Sequence, residues 1–160
     1  MATKRKTQQG IIRMYKEKTG IQEVDMFEVA KFAVKNGWEL PEPESPMERL
    51  AKEFSQAARE EIRYDKGTGR PYRANHAISY KQGNTQLHLW IDIDEAPRHS
   101  MHKSLIVRRE QMVGDGLQLT LDVDHWNSIH PDEEPINIPM DFTEDILERK
   151  NAPAELRKAS

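Results

Sequence analysis

The sequence contains no cysteine, and it has no long run of apolar residues. Without cysteine the protein can form no disulfide, no cysteine-based zinc finger and no iron–sulfur cluster, and thiol catalysis is excluded. Apolar residues make up 36% of the chain, and no stretch approaches the roughly 20 apolar residues of a membrane-spanning helix. No signal-peptide pattern opens the chain, so we expect a cytoplasmic protein without a membrane partner.

The motifs of several enzyme classes are also missing. The sequence has no phosphate-binding loop, no Gly-x-Ser-x-Gly nucleophile elbow and no His-Glu-x-x-His helix. We therefore expect a non-enzymatic protein that requires no cofactor. Metal-ligand residue types do gather at Asp122, Asp124, His125 and His130. They would suit a metal-dependent hydrolase, although a solvated acidic strand is the simpler interpretation.

Charged residues are abundant and unevenly distributed. They make up 32% of the 160 residues, yet the net charge is only −3. Residues 63–81 carry five basic residues and one acid, whereas residues 121–148 carry nine acids and no Lys or Arg. Blocks of opposite sign create directed fields that attract charged partners. Pairing of these blocks within the molecule is the simpler alternative.

The first part of the chain has the signals of three helices. Apolar residues at helical spacing predict the first over residues 8–19, after a frayed basic arm at residues 1–7. Capping boxes predict the starts of the next two, and glycines predict the ends of the first two. These signals are Asp25 with Glu28, Ser45 with Glu48, Gly20 and Gly37.

Strand-like alternation follows the third helix. Residues 71–81 and 86–93 alternate, and the turn residues between them predict a β-hairpin. We predict a helix over about residues 100–113, because apolar residues return there at helical spacing. Gly114-Asp115-Gly116 should end that helix, and a second alternating run predicts a strand over residues 117–123.

This order of elements predicts an α+β fold. Three N-terminal helices followed by a β-hairpin have the plan of a winged helix, and a helix, a strand and an acidic C-terminal segment follow. We predict a winged-helix-like domain over residues 1–95, an α+β extension over residues 96–150 and a disordered tail over residues 151–160.

Basic residues on the third helix and the hairpin predict contact with nucleic acid. A winged helix places its third helix in the major groove and its hairpin on the backbone. Lys and Arg contact phosphates, and Gln and Arg also reach base edges. The predicted contact residues are Arg49, Lys52, Gln56, Arg59, Arg63, Lys66, Arg70, Arg73 and Lys81. They indicate a regulatory module for duplex DNA, with RNA as an alternative partner and a solvated charged surface as the competing interpretation.

The acidic segment supports a different hypothesis. Residues 121–148 interleave their acids with large apolar side chains such as Trp126 and Phe142. Acidic segments with apolar anchors can dock on basic partner surfaces. A protein-interaction adaptor, or self-association through residues 121–148, is therefore the second hypothesis.

Overall fold

The computed structural model describes residues 3–153, which form five helices and four short strands. The helices are α1 (Lys4–Thr19), α2 (Met26–Lys35), α3 (Pro46–Glu60), α4 (Arg98–Ile129) and α5 (Thr143–Asn151). The strands are β1 (Ile62–Tyr64), β2 (Pro71–Arg73), β3 (Asn75–Gln82) and β4 (Thr85–Asp92). The predicted mixture of helices and hairpin strands is confirmed. In the described residues no helix is both long enough and apolar enough to cross a bilayer.

The start of α3 follows directly from its capping box. The Ser45 amide donates to the Glu48 carboxylate at 3.0 Å, and the Glu48 amide donates to the Ser45 hydroxyl at 3.2 Å. Two amides at the helix start are thereby satisfied by two side chains. Pro46 takes the first helical position, where no amide hydrogen is needed.

The end of α2 follows from a glycine, as predicted. Gly37 has a φ of 90°, a left-handed conformation that costs a residue with a Cβ more than it costs glycine. Its amide donates to the Val34 carbonyl, and the Trp38 amide donates to the Ala33 carbonyl, both at 3.0 Å. These two bonds satisfy carbonyls at the helix end and turn the chain back on its last turn.

The first helix begins earlier than predicted. α1 starts at Lys4, because the Thr3 hydroxyl accepts a hydrogen bond from the Lys6 amide at 3.3 Å and caps the helix. The basic arm predicted over residues 1–7 is therefore wrong for residues 4–7, and residues 1–2 lie outside the described part.

The single strand predicted over residues 71–81 is two strands, β2 and β3, which belong to two different antiparallel hairpins. β2 pairs with β1, whereas β3 pairs with β4 from Asn75 opposite Asp92 to Gln82 opposite Thr85. Ala74 lies between the hairpins and is fully buried. Its amide donates to the Glu61 carbonyl at 3.0 Å, and its carbonyl accepts from the Ile93 amide at 2.8 Å. The predicted hairpin over β3 and β4 is confirmed.

The strand predicted over residues 117–123 is wrong, because α4 is one continuous helix of 32 residues. It is about 48 Å long at 1.5 Å per residue. Leucines at positions 117 and 121 are four residues apart, so alternating leucines also satisfy the helical period. Gly114 and Gly116 do not end the helix, and neither has a positive φ.

The acidic segment combines the end of α4, a returning loop and α5. The Asn127 side-chain amide exchanges two 2.9 Å hydrogen bonds with the backbone of Ile136, as a neighbouring strand would. A Cβ built on Gly116 would lie 2.7 Å from the Met140 methyl carbon. Glycine at this position therefore leaves room for the Met140 methyl group against α4.

The chain divides after Arg49 into two compact units. In the first, α1 packs against α2, where Val29 is buried and the Tyr15 and Phe32 rings meet edge to face at 5.5 Å. In the second, α4 packs against β3, where Met101 and Ser104 are buried.

This division differs from the boundary predicted near residue 95. The winged-helix-like domain over residues 1–95 and the α+β extension over residues 96–150 stay a prediction. A disordered tail was predicted over residues 151–160, but its first residue, Asn151, is the last residue of α5. Residues 154–160 lie outside the described part of the chain.

Candidate nucleic-acid interface

A groove of about 250 Å³ lies between the β3–β4 hairpin and α4 in the second unit. Three arginines line it from three elements: Arg59 in α3, Arg73 in β2 and Arg108 in α4. Trp90 and His88 from β4 also line it. None of its lining residues, all within the described part, is an aspartate or a glutamate.

Hydrogen bonds hold the arginine-bearing elements against the hairpin. The Asn75 amide donates to the Ala58 carbonyl at 3.2 Å and to the Glu61 carboxylate at 2.7 Å, so the end of α3 is fixed beside β3. The Ser104 hydroxyl donates to the Ala77 carbonyl at 3.1 Å and fixes α4 on the same strand. These bonds set the positions from which the arginines reach the groove.

A tryptophan on the hairpin supplies an aromatic surface. The Arg59 guanidinium carbon lies 5.5 Å from the centroid of the Trp90 ring, within the range of a cation–π contact. Ala77 is the residue opposite Trp90 and presents only a methyl group. His88 lies two residues before Trp90, on the same strand face. Aromatic rings beside arginines are the surfaces on which nucleobases stack.

The groove arginines differ from Arg63 in their electrostatic surroundings. Among residues 3–153, Arg59, Arg73 and Arg108 form no ion pair with a carboxylate, whereas Arg63 forms three. Three guanidinium groups around one groove without acids create a positive potential. Their planar forks match the oxygens of a phosphate or a carboxylate. The groove therefore combines a positive potential with an aromatic wall.

The chain matches no family model, no curated protein and no solved structure.

The groove contains two of the nine predicted contact residues, Arg59 and Arg73. Arg108, Trp90 and His88 were not among the predicted site residues. The outward positions of Trp90 and His88 in an alternating strand are a signal that could have identified them. Nothing comparable singles out Arg108 from the adjacent Arg109, since only the packing of α4 distinguishes them.

Arg63, a predicted phosphate contact, lies in a network of carboxylates. Its two terminal nitrogens bind both Asp92 oxygens, at 2.9 and 2.7 Å. The same side chain lies 2.9 Å from Asp94 and 3.0 Å from Glu61. A phosphate would have to compete with all three acids. Arg63 therefore stabilises the junction of the two hairpins in this structure, and its predicted phosphate contact stays a prediction.

The network changes the acidity of its members. The Arg63 hydrogen bonds hold the pKa of Asp92 below its usual range. The pKa of Glu61 is also lowered, first by the hydrogen bond from Asn75 and then by that from Arg63. The Tyr72 hydroxyl donates to Asp94 at 2.9 Å, and this bond raises the pKa of the phenol. Asp92 and Glu61 are therefore held in the ionised form at neutral pH.

Lys66 and Arg70 lie around a different cavity, of about 800 Å³. Its lining includes Asp65 and Asp94, so its charge is mixed. Arg70 donates to the Asn151 side chain at 3.2 Å. These two predicted contact residues do not join the groove arginines.

The other four predicted contact residues also lie outside the groove lining. They are Arg49, Lys52, Gln56 and Lys81. The first three lie on α3, and Gln56 donates to the Glu60 carboxylate at 2.5 Å. Lys81 lies near the tip of the hairpin, opposite Gln86.

The candidate metal ligands do not converge. Asp122, Asp124 and His125 lie on α4, where residues two apart are separated by about 200° around the axis. Across residues 3–153, no three potential ligand side chains are grouped so that they could hold an ion. The His130 ring stacks on Trp126 with centroids 3.8 Å apart.

Proposed function

We propose that this protein is a non-enzymatic regulatory module that binds the phosphate backbone of nucleic acid through Arg59, Arg73 and Arg108. One observation carries the proposal: three arginines without carboxylate partners in the described residues surround a groove that contains Trp90. A structural role would favour partners such as those of Arg63, because unpaired like charges placed together repel each other.

The chemistry of the groove suits a polyanion with bases. Each arginine that neutralises a phosphate releases condensed counterions, which favours binding at low salt. Trp90 and His88 add faces on which an accessible base can stack. A small carboxylate would use the arginines but not the aromatic wall, so nucleic acid uses more of the groove.

The winged-helix arrangement predicted from the order of elements is part of this proposal. In that arrangement the third helix lies in the major groove and the hairpin contacts the backbone. The position of Arg59 at the end of α3, beside Trp90 on the hairpin, supports a surface shared by both elements. The remaining predicted residues of α3 and the hairpin would add contacts around the groove.

Salt-dependent binding tests the proposal. We would titrate the full chain into a fluorescently labelled DNA duplex and a single strand of the same length, following anisotropy between about 50 and 200 mM salt. Replacing Arg108 by Ala should weaken binding about tenfold. It should also reduce the slope of log affinity against log salt by about one.

Arg109→Ala is the matched control. Arg109 is adjacent on the same helix and carries the same charge, but it pairs with Glu110 at 2.9 Å and does not line the groove. It should lose much less affinity than Arg108→Ala. Equal losses of affinity in the two variants would show that the net charge of the protein, and not the groove, attracts the nucleic acid. That result would contradict binding in the groove. No binding to either probe at low salt would overturn the proposal.

A further inference from the structure

α4 exposes a row of apolar side chains on the face turned away from β3. Its buried residues Met101 and Ser104 mark the side that packs on the sheet. The apolar row lies on the opposite side, at positions i, i+7, i+11 and i+15 of one helix face. It consists of Ile106, Val113, Leu117 and Leu121, with exposed fractions of 44, 49, 60 and 52%.

Few apolar side chains are buried among the described residues: they are Val29, Ala74 and Met101. A stable dimer covers about 800 Å² on each partner, so a row of four side chains needs further apolar surface beside it. Apolar residues of the returning loop, such as Ile138 at 43% exposed, widen the apolar surface beside α4.

The charges of α4 are complementary to those of a second, antiparallel α4. Lys103 in the first half of α4 and Asp124 in its second half lie on the same face as the apolar row, each five residues from its end of the helix. Antiparallel overlap would place Lys103 of each copy against Asp124 of the other, with the two helix dipoles opposed. A parallel arrangement would place like charges together.

The apolar row is centred on the middle of the helix. With the two helices overlapping from end to end, Ile106 faces Leu121 of the other copy, and Lys103 faces Asp124 of the other copy. Val113 faces Gly114, where no atom of the chain lies within 4 Å of a Cβ position. Glycine at this crossing point leaves room for the valine. Glu110 on the same face is engaged by Arg109.

We propose that this face of α4 binds a second copy of the chain in an antiparallel dimer with two-fold symmetry. A surface that matches itself after a two-fold rotation is the requirement for such an interface. The groove lies on the other side of α4, so the dimer would carry two accessible grooves. Dimerisation and nucleic-acid binding can therefore fail independently.

The absence of cysteine allows a direct test of the register. A single Val113→Cys substitution places two thiols beside the two-fold axis, so mild oxidation of the full chain should give a covalent dimer. Ile106→Cys alone should give none, whereas Ile106→Cys with Leu121→Cys should give one. Equal cross-linking of both single variants would indicate a parallel pair and would overturn the arrangement.

Sedimentation equilibrium tests the dimer without a cross-link. The wild-type chain should approach about 37 kDa, twice its 18.6 kDa, between about 1 and 100 μM. Leu117→Glu with Leu121→Glu should return it to the monomer mass with an unchanged circular dichroism spectrum. Met47→Glu, at a residue 74% exposed on α3, is the control and should remain dimeric. A wild-type chain that is monomeric throughout this range would overturn the proposal.

Charge reversal distinguishes pairing in the proposed register from non-specific association. Lys103→Glu should weaken the dimer, because it places an acid opposite Asp124 of the other copy. Combining it with Asp124→Lys should restore the dimer, since the pair is then reversed but still complementary. Failure of the double variant to recover would contradict the proposed register.

Discussion

At the residue scale, Arg63 connects parts of the second unit that are far apart in sequence. It binds Glu61, two residues away, together with Asp92 and Asp94, which are 29 and 31 residues away. A guanidinium remains charged at any pH at which the protein folds. The network therefore depends on the ionisation of its carboxylates, and low pH should weaken it.

We expect Asp92→Asn to reduce stability at neutral pH and to make stability less dependent on acid. The pKa of Asp92 is lower in the folded protein because of Arg63. Its stabilising effect is therefore present above the unfolded-state pKa and disappears as the pH falls through the folded-state pKa. The melting temperature should fall by a few degrees at pH 7, and the variant and wild type should converge between about pH 5 and pH 2.

Asp132→Asn provides the control for this measurement. Asp132 is exposed in the loop after α4 and has no hydrogen bond or ion pair to a described residue. Replacing it should leave the melting temperature at acidic pH close to that of the wild type. A difference between Asp92→Asn and wild type that does not change with pH would contradict the ionic explanation.

At the element scale, helix ends were the most predictable features. The Ser45–Glu48 box and the Gly37 end are local, since every atom involved lies within five residues. The strand predicted over residues 117–123 was wrong because a short run of alternating leucines also fits a helix. The length of the element and its packing decide between a strand and a helix, and neither can be inferred from a short run of alternating leucines.

The site was only partly predictable for a similar reason. Arg59 and Arg73 stood out as basic residues on a predicted helix and hairpin. Their meeting with Arg108 depends on the register of β3 with β4 and on the packing of α4 across 27 residues of sequence. The capture of Arg63 by Asp92 also requires this tertiary arrangement. Charge counts along the chain cannot separate a free arginine from a paired one.

Two glycines of the first unit should respond in opposite directions to substitution by alanine. Gly10 lies inside α1 and a Cβ there would meet its nearest atom, from Arg13, at 3.9 Å. Gly10→Ala should therefore stabilise the unit by about 0.5–1 kcal/mol through helix propensity. Gly37→Ala should destabilise it by about 1–2 kcal/mol, because alanine is strained in the left-handed conformation.

Urea unfolding followed by circular dichroism and by tryptophan fluorescence measures both changes, in a background where Trp90 and Trp126 are replaced by Phe so that Trp38 is the remaining tryptophan. Each variant is compared with the wild type at one protein concentration, so that self-association contributes equally. The two glycines act as controls for each other, because both substitutions add one methyl group to the same unit. Shifts in the same direction would contradict the assigned backbone conformations.

At the scale of the whole molecule, the balance of buried and exposed surface stands out. Only Val29, Ala74 and Met101 are buried apolar residues among those described. Most other large apolar side chains are partly exposed, including the row of Ile106, Val113, Leu117 and Leu121 on α4. With so little apolar burial, the dimer that we propose through α4 would contribute much of the stability of the chain, and folding and assembly should then be coupled.

Denaturant sensitivity measures this balance. The slope of unfolding free energy against urea scales with the surface exposed on unfolding. The monomeric variant Leu117→Glu with Leu121→Glu should therefore have a shallower slope than a compact monomeric protein of 160 residues in the same buffer, because few of its described apolar residues are buried before unfolding.

The wild type should have a steeper slope and a midpoint that rises with protein concentration, because unfolding of the proposed dimer also exposes the α4 interface. A monomeric variant with the slope of a compact protein would mean that the chain buries its apolar residues by itself, and it would contradict the proposed dimer.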